Sequence, residues 1–183
     1  MGKPDFKKIM EEGGSIKGFA WPETCGDFDI KITKDGVWFY RGSPIGRKSL
    51  VKLFATVLQK DDAGEYWLVT PAERGRVAVE DAPFLAVEMR VEAEATADQI
   101  LHFRTNLDHW VCLDEAHPLR VAINPKTQEP APYIMLWDRL EAKLTRAIFY
   151  QLVDLALSQQ QSASNDADET LAITSAHTAF KIV

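Results

Sequence analysis

Residues 68–73 read LVTPAE, and residues 172–177 read AITSAH in nearly the same pattern. The match continues without a gap from residues 76–79 (RVAV) to residues 180–183 (FKIV). Short runs of strand-forming residues separated by turn residues are typical of two strands joined by a hairpin. The sequence therefore predicts that one strand–turn–strand segment occurs twice in the chain.

The repeated pattern also extends upstream of these segments. Residues 35–38 (DGVW) precede Pro44 in the first half, and residues 108–110 (DHW) precede Pro118 in the second. A stretch with helical periodicity lies between the paired segments of each half. We therefore expect an α+β fold with an internal duplication, in which each half is a curved antiparallel sheet packed around one main helix.

The expected organisation is a flexible N-terminal arm over residues 1–15, a first repeat-like α+β domain over residues 16–95 and a second over residues 96–183. Within the two domains, apolar residues recur at helical spacing. They predict a helix over residues 47–59 and a longer one over residues 138–158.

The stretch 159–169 (QQQSASNDADE) is polar and built of small residues. It has too little apolar surface to offset the entropy lost on ordering, so we predict a mobile loop. Beyond it, residues 170–174 and 180–183 are expected to form a final hairpin.

The composition narrows the range of partners and locations. The chain has 183 residues, 46% of them hydrophobic, and a net charge of -6, which argues against nucleic acid because phosphate binding needs clustered Lys and Arg. No apolar run approaches the roughly 20 residues of a membrane span, so no membrane partner is expected. Without a signal-like start, Cys25 and Cys112 are expected to be reduced thiols of a cytoplasmic protein.

Several short motifs occur in an order that resembles a known family. They are residues 25–27 (CGD), 42–47 (GSPIGR), 50–55 (LVKLFA), 68–73 (LVTPAE), 79–84 (VEDAPF), 103–106 (FRTN) and 117–120 (HPLR). Over residues 20–157 the chain is similar to the bacterial domain-of-unknown-function family 1285. The resemblance implies a cytoplasmic bacterial protein with two related halves and a role in ligand sensing or signalling. It implies no established activity, cofactor or catalytic residue.

The start of the first predicted helix carries two bases, Arg47 and Lys48. A helix N-terminus has partial positive charge and favours acids, so these bases oppose the helix dipole. One explanation is that Arg47 and the free backbone N–H groups before it face an external phosphate or carboxylate. The other is an internal ion pair with Glu73 or with the adjacent Glu80 and Asp81, which would fix the helix against the sheet.

A ligand site between the two halves is the main functional hypothesis, since clefts commonly form where duplicated units meet. The predicted ligand-binding residues are Arg47, Glu73, Asp81, Arg104 and His117. The expected partner is a small anionic ligand or another protein. The chain would then be an uncharacterised non-enzymatic ligand-binding, regulatory or signalling protein with a polar cleft.

The alternative is a hydrolase or transferase of unfamiliar type, with Glu73 or Asp81 as the base and Arg47 as an anion clamp. No common nucleotide-binding or hydrolase signature occurs in the sequence. Asp81 itself is explained equally well as a turn-building residue before Pro83.

A metal site is not predicted, although histidine, cysteine and aspartate are dense in the second half. The residues concerned are His102, His109, Cys112, Asp114 and His117. Their spacing matches no metal-ligand motif, and His109 and Cys112 fall on opposite faces of the predicted strand. We therefore expect neither a metal nor another cofactor.

Overall fold

The computed structural model describes residues 25–125, 127–162 and 171–182. The arm expected over residues 1–15 lies outside them. The chain divides into two compact units, the first running to Pro83 and including Leu136–Leu140, and the second comprising Phe84–Met135 and the chain from Glu141 onward. Along the chain, the division falls between Pro83 and Phe84, upstream of the boundary at residues 95/96 that the sequence suggests.

The first unit is built around one six-stranded sheet. Its elements are β1 (Cys25–Ile32), β2 (Trp38–Tyr40), β3 (Ser43–Pro44), α1 (Lys48–Ala55), β4 (Leu58–Lys60), β5 (Tyr66–Val69) and β6 (Arg74–Val79). The strand order is β3-β2-β1-β6-β5-β4. Neighbouring strands are antiparallel except at the centre, where β1 and β6 run parallel.

The second unit contains another six-stranded sheet, a helix and a final hairpin. Its elements are β7 (Phe84–Glu92), β8 (Ile100–Thr105), β9 (Trp110–Cys112), β10 (Leu119–Ile123), β11 (Pro130–Trp137), β12 (Leu140–Leu144), α2 (Arg146–Ser162), β13 (Ala172–Ser175) and β14 (Thr178–Lys181). The sheet order is β10-β11-β12-β7-β8-β9, with β7 and β12 parallel, and β13 and β14 form a separate two-stranded sheet.

The two large sheets share one strand order, as an internal repeat requires. In each sheet, two three-stranded meanders lie side by side, and the first strand of one pairs in parallel with the last strand of the other. The expectation of purely antiparallel sheets is therefore wrong. The connection between the two meanders sets their relative direction, and in both sheets it leaves the first and the sixth strand pointing the same way, so these two strands pair in parallel.

The residue equivalences that the sequence suggested are also wrong. Counting strands from the start of each sheet, β5 corresponds to β11, whereas residues 172–175 form a strand of the separate hairpin. Trp38 lies on the second strand of its meander and is buried, but Trp110 lies on the third strand of the other. A hydrophobic pair, a threonine and a turn suit any hairpin, so this short pattern does not specify position.

The second large sheet must curl so that its edges approach each other. A flat six-stranded sheet would place β9 and β10 about 24 Å apart. About seven residues join Cys112 to Leu119, and they could span that distance only if fully extended. The connection instead contains a turn, in which the His117 N–H donates to the Asp114 carbonyl oxygen at 3.2 Å. This geometry supports the expected curvature.

The helices differ from the predicted ranges. Helix α1 is shorter than predicted, since β4 begins at Leu58. The start of the predicted long helix is instead the β11–β12 hairpin, where Asp138 and Arg139 both have positive φ. Strand β12 is buried along most of its length. Leu140, Leu144 and Ile148 are four residues apart, as in a helix, but residues 140–144 (LEAKL) also alternate apolar and charged residues, as in a strand. Periodicity alone therefore could not decide between the two.

The segment expected to be a mobile loop begins inside α2, which continues to Ser162. The rest of that segment, residues 163–169, lies outside the described part of the chain. Within the described residues, each unit contains one helix, and neither helix is long and apolar enough to cross a membrane. The expectation of one main helix per half stays a prediction.

The final hairpin is confirmed, and a buried hydroxyl ties it to the second sheet. Ser175 is fully buried, and its Oγ accepts a hydrogen bond from the Leu101 N–H at 2.9 Å while donating one to the Leu113 carbonyl oxygen at 2.6 Å. Gln99 adds a second tie, since its Nε2 donates to the Thr174 carbonyl oxygen. The Ser175 side chain thus satisfies the hydrogen-bonding needs of two backbone groups that have no access to water.

We expect Ser175→Ala to lower the free energy of unfolding by about 2–4 kcal/mol, because two buried backbone groups lose their partner. Urea denaturation measures the change. Ser158→Ala is the matched control, since Ser158 bonds to the Leu155 carbonyl oxygen on the exposed side of α2. Equal effects of the two substitutions would show that the hairpin does not depend on the Ser175 hydroxyl.

Candidate functional site

The predicted site residues of the first unit occupy different structural positions. Arg47 is the N-cap residue of α1, is exposed, and makes no side-chain capping hydrogen bond. Glu73 is exposed in the turn between β5 and β6, and Asp81 is half-buried after β6. Among the described residues, none forms an ion pair with Arg47. The convergence of these three side chains stays a prediction.

The predicted site residues of the second unit are held by neighbouring acids. Arg104 contacts Glu88 through Nε at 2.5 Å and Asp108 through Nη1 at 3.0 Å. These contacts raise the pKa of Arg104, first through the hydrogen bond to Glu88, and the same hydrogen bond lowers the pKa of Glu88. His117 Nδ1 lies 2.9 Å from Asp114 Oδ1. Arg104 and His117 therefore both have acidic partners within the second unit.

Glu73 differs because it lines a cavity of about 490 Å³ in the first unit, which we call the first-unit pocket. Its apolar wall consists of Phe28, Ile30, Ile45, Leu50, Phe54, Val57 and Leu68. Its polar groups come from Asp27, Asp29, Tyr40, Arg41, Thr70 and Glu73. Helix α1 and strand β1 supply much of the wall. A cavity of this size, apolar with a few polar groups, is typical of small-molecule sites.

An irregularity in β1 creates the polar side of the pocket. The pairing of β1 with β6 is shifted between Asp27 and Ile30, so extra residues bulge out of the strand. Asp29 has a φ of 51°, and its N–H donates to Asp27 Oδ1 at 2.8 Å. Bulges redirect side chains and often lie beside functional sites. This one directs two carboxylates to the pocket.

Glycine at position 75 is required by the pocket wall. The aromatic ring of Phe28 lies directly over Gly75, and a Cβ at that position would be 2.3 Å from Phe28 Cδ2. No side chain can replace the glycine hydrogen without displacing the ring. The close approach therefore fixes where Phe28 stands in the pocket.

The charges at the pocket favour a cation. The pocket lining contains three carboxylates, those of Asp27, Asp29 and Glu73, and one guanidinium, that of Arg41. Arg41 Nε lies 3.6 Å from Asp29 Oδ2, and the guanidinium stacks over Tyr40 at 5.2 Å. Among the described residues, no ion pair is present at Glu73, so its carboxylate faces the cavity rim without a counter-charge.

A bound metal is not supported by the part of the chain that the structure describes. No group of three or more His, Cys, Asp or Glu side chains there could hold a metal ion. The dense cluster of the second unit instead forms pairs, such as His117 with Asp114 and His102 with Cys112. The thiol and ring nitrogen of the latter pair are 3.2 Å apart.

The sequence analysis predicted no ligand-binding role for three of the pocket residues, Asp27, Asp29 and Arg41. Asp27 and Asp29 alternate with apolar residues and so look like the solvent-facing side of a strand. A bulge adds residues to a strand without changing its composition, which leaves no signal in one sequence. Gly75 had a weak signal, since glycine inside a strand often marks a close approach.

Comparison with known proteins gives a consistent result. The model described as "Domain of unknown function (DUF1285), N-terminal domain" matches residues 20–82, and "Protein of unknown function (DUF1285), C-terminal domain" matches residues 83–182. No curated protein matches.

Two crystal structures of DUF1285 family proteins are similar to this chain. The protein from Silicibacter pomeroyi DSS-3 is 34% identical over 98% of this chain and 95% of its own, with a TM-score of 0.76. The protein from Shewanella baltica OS155 is 30% identical over 71% of this chain and 94% of its own, with a TM-score of 0.55.

We expect Gly75→Ala to destabilise the first unit by about 1–3 kcal/mol, because the added methyl group displaces the Phe28 ring. Gly46→Ala is the control, since a Cβ there meets nothing within 4 Å. Urea denaturation measures both. In a Phe28→Ala background the cost of Gly75→Ala should shrink. An unchanged cost in that background would rule out the ring contact as its cause.

The stability of the second unit should depend on His109 in mild acid. Burial, followed by the charge of His117, lowers the pKa of His109. The imidazole of His109 therefore binds a proton more readily in the unfolded chain than in the folded one. As the pH falls from about 6.5 through the pKa of folded His109, the free energy of unfolding should decrease. We expect His109→Gln to flatten that part of the melting-temperature profile between about pH 7.5 and 5.5, whereas the exposed control His177→Gln leaves it unchanged. Parallel profiles for wild type and His109→Gln would contradict this.

Proposed function

The chain belongs to the DUF1285 family, and from that premise we propose that it is a non-enzymatic, cytoplasmic ligand-binding protein with a regulatory role. The observation that carries the proposal is the first-unit pocket, an apolar cavity of about 490 Å³ with carboxylates at its rim. The free thiol of Cys112 supports a reducing location.

The lining of the pocket defines the class of ligand. Leu50 and Phe54 from α1, together with Phe28, offer an apolar surface that suits an aliphatic or aromatic body. The rim carries a net negative charge, since the three carboxylates outnumber Arg41. A ligand with an apolar body and a positively charged end would fill the cavity and pair with Glu73.

This ligand differs from the small anion expected from the sequence. The anion hypothesis rested on Arg47, which is not part of the pocket lining. Arg41 is the lining residue with positive charge, and Asp29 lies beside it. Of the five residues predicted to bind a ligand, the proposal uses Glu73 alone as a direct contact.

A binding role is supported over catalysis by the types of group at the pocket. The Thr70 hydroxyl donates to the Glu73 carbonyl oxygen at 3.0 Å and accepts from the Glu73 N–H at 3.2 Å, so it serves the turn. The carboxylates of Asp27, Asp29 and Glu73 at the rim are exposed to solvent. Charge recognition is the chemistry that such groups perform.

The ligand class can be tested with three compounds that share one apolar body. We expect 3-phenylpropylammonium to raise the melting temperature of the protein, 3-phenylpropanol to raise it less, and 3-phenylpropanoate to leave it unchanged. Titration calorimetry should show that Glu73→Gln weakens binding of the ammonium compound by roughly threefold to fivefold, the strength of one solvent-exposed ion pair.

Glu94→Gln is the matched control, because it removes the same charge from an exposed residue that does not line the pocket. It should leave the affinity unchanged. Tighter binding of the carboxylate than of the ammonium compound, or an equal effect of the two substitutions, would overturn the proposal.

A further inference from the structure

Three strands of the second unit bring a thiol, an imidazole and a carboxylate into one line. His102 on β8 and Cys112 on β9 are direct cross-strand partners, and Cys112 Sγ lies 3.2 Å from His102 Nδ1. The other ring nitrogen, Nε2, lies 3.4 Å from Glu92 Oε1 on β7. None of these residues lines the first-unit pocket.

A bulge in β7 is what places Glu92 beside the imidazole. Ala86 pairs with Thr105 and both are buried, so that face of the sheet points to the core. The register shifts between Ala86 and Glu88, and residues beyond the shift change face. Glu92 then pairs with Ile100, which shares a face with His102 two residues on.

The contacts of the ring nitrogens indicate which of them is the base. His102 Nε2 is buried and has no hydrogen-bond partner among the described residues, although the Glu92 carboxylate is within ion-pair distance. The distance from Nε2 to Glu92 Oε1 is short enough for a hydrogen bond, and only the angle is unfavourable. The side chain of Glu92 is 68% exposed and can therefore rotate into line with the ring. A carboxylate beside Nε2 favours the proton there, which leaves the lone pair of Nδ1 facing the thiol.

We propose that Cys112 is a nucleophilic thiol, that His102 is its base, and that Glu92 is a positioning residue that orients His102. A nucleophile and a base within hydrogen-bond reach, with the base oriented by a third group, form the arrangement of activated cysteines. The ligand class is a molecule with an electrophilic carbon, such as an acyl thioester.

The chemical step balances with these groups alone. The Cys112 sulfur forms a bond to the electrophilic carbon while the thiol proton moves to His102 Nδ1. With a thioester, the carbon–sulfur bond of the donor breaks, and the leaving thiolate takes the proton from the imidazolium. The product is an S-acylated Cys112 and a free thiol.

The surrounding charges make a base necessary. Burial raises the pKa of Cys112, and the carboxylates of Asp114 and Glu92 raise it further. The cation on β7 opposite His102 is Arg90, whose guanidinium is bonded to Glu88. The thiol is therefore not a preformed thiolate, and its proton must leave during the attack.

Alkylation by iodoacetamide tests the proposal, with Cys112 followed by peptide mass spectrometry in the full chain across about pH 6 to 9. In this reaction the carbon–iodine bond breaks and the proton goes to His102. At pH 7 we expect folded Cys112 to react about tenfold faster than Cys112 in the urea-unfolded chain. His102→Asn should bring the folded rate below the unfolded rate, because only the raised pKa then remains.

Glu92→Gln should slow alkylation and shift the pH profile of the rate, a change that a purely structural carboxylate would not cause. His177→Asn is the control and should change neither, since His177 lies in the β13–β14 turn at positive φ, which asparagine tolerates. Circular dichroism checks the fold of each variant.

Two results would overturn the proposal. One is a folded wild-type chain whose Cys112 reacts more slowly than in urea, and the other is a folded His102→Asn variant that reacts as fast as wild type. If His102→Asn fails to fold, the wild-type comparison and the Glu92→Gln profile decide, since Glu92 is exposed enough to be replaced.

Discussion

The structure depends on the parallel pairing of the first strand of each large sheet with the last. Ile32 faces Val79 across the β1–β6 pair, and Phe84 faces Ala142 across the β7–β12 pair. This pairing joins two meanders into one six-stranded sheet. A parallel pair brings residues far apart in the chain together, so its loop-closure entropy must be offset by burial of both strands. The burial of Ile32 and Ala142 fits that requirement.

Each candidate site arises where this first strand departs from regular pairing. In β1 the irregularity between Asp27 and Ile30 directs carboxylates to the first-unit pocket. In β7 the shift after Ala86 moves Glu92 to the face that carries His102. A bulge leaves hydrogen-bonding groups unpaired and bends the strand, which costs stability. Both irregularities lie in the first strand of their sheet, one against β6 and the other against β8, so this strand determines where the polar groups of each candidate site lie.

The buried polar groups of the second unit show how the rest of the fold is held. Glu141 is 8% exposed and forms a bidentate pair with Arg120, with Nε to Oε1 at 2.5 Å and Nη2 to Oε2 at 2.7 Å. The Arg120 guanidinium also stacks over Tyr133 at 4.2 Å. Such a pair is sensitive to the loss of one partner, because the other charge is then left buried. It fixes the relation of β10 to β12 more than it adds to stability.

The sequence by itself determined the features that depend on neighbouring residues. The α+β class, the helix α1 and the final hairpin all follow from local turn chemistry and periodicity, which act over a few residues. Family membership was also readable, because motifs keep their order in the chain.

Only the tertiary structure decided the features that depend on distant strands. The segment Leu140–Leu144 fits both the helical and the strand period, and its parallel pairing with β7 is what makes it a strand. Likewise, strand register and the two bulges place Glu73 beside a cavity and bring His102 next to Cys112 and Glu92. Register between strands is set by packing of the whole sheet, so no short stretch of sequence contains it.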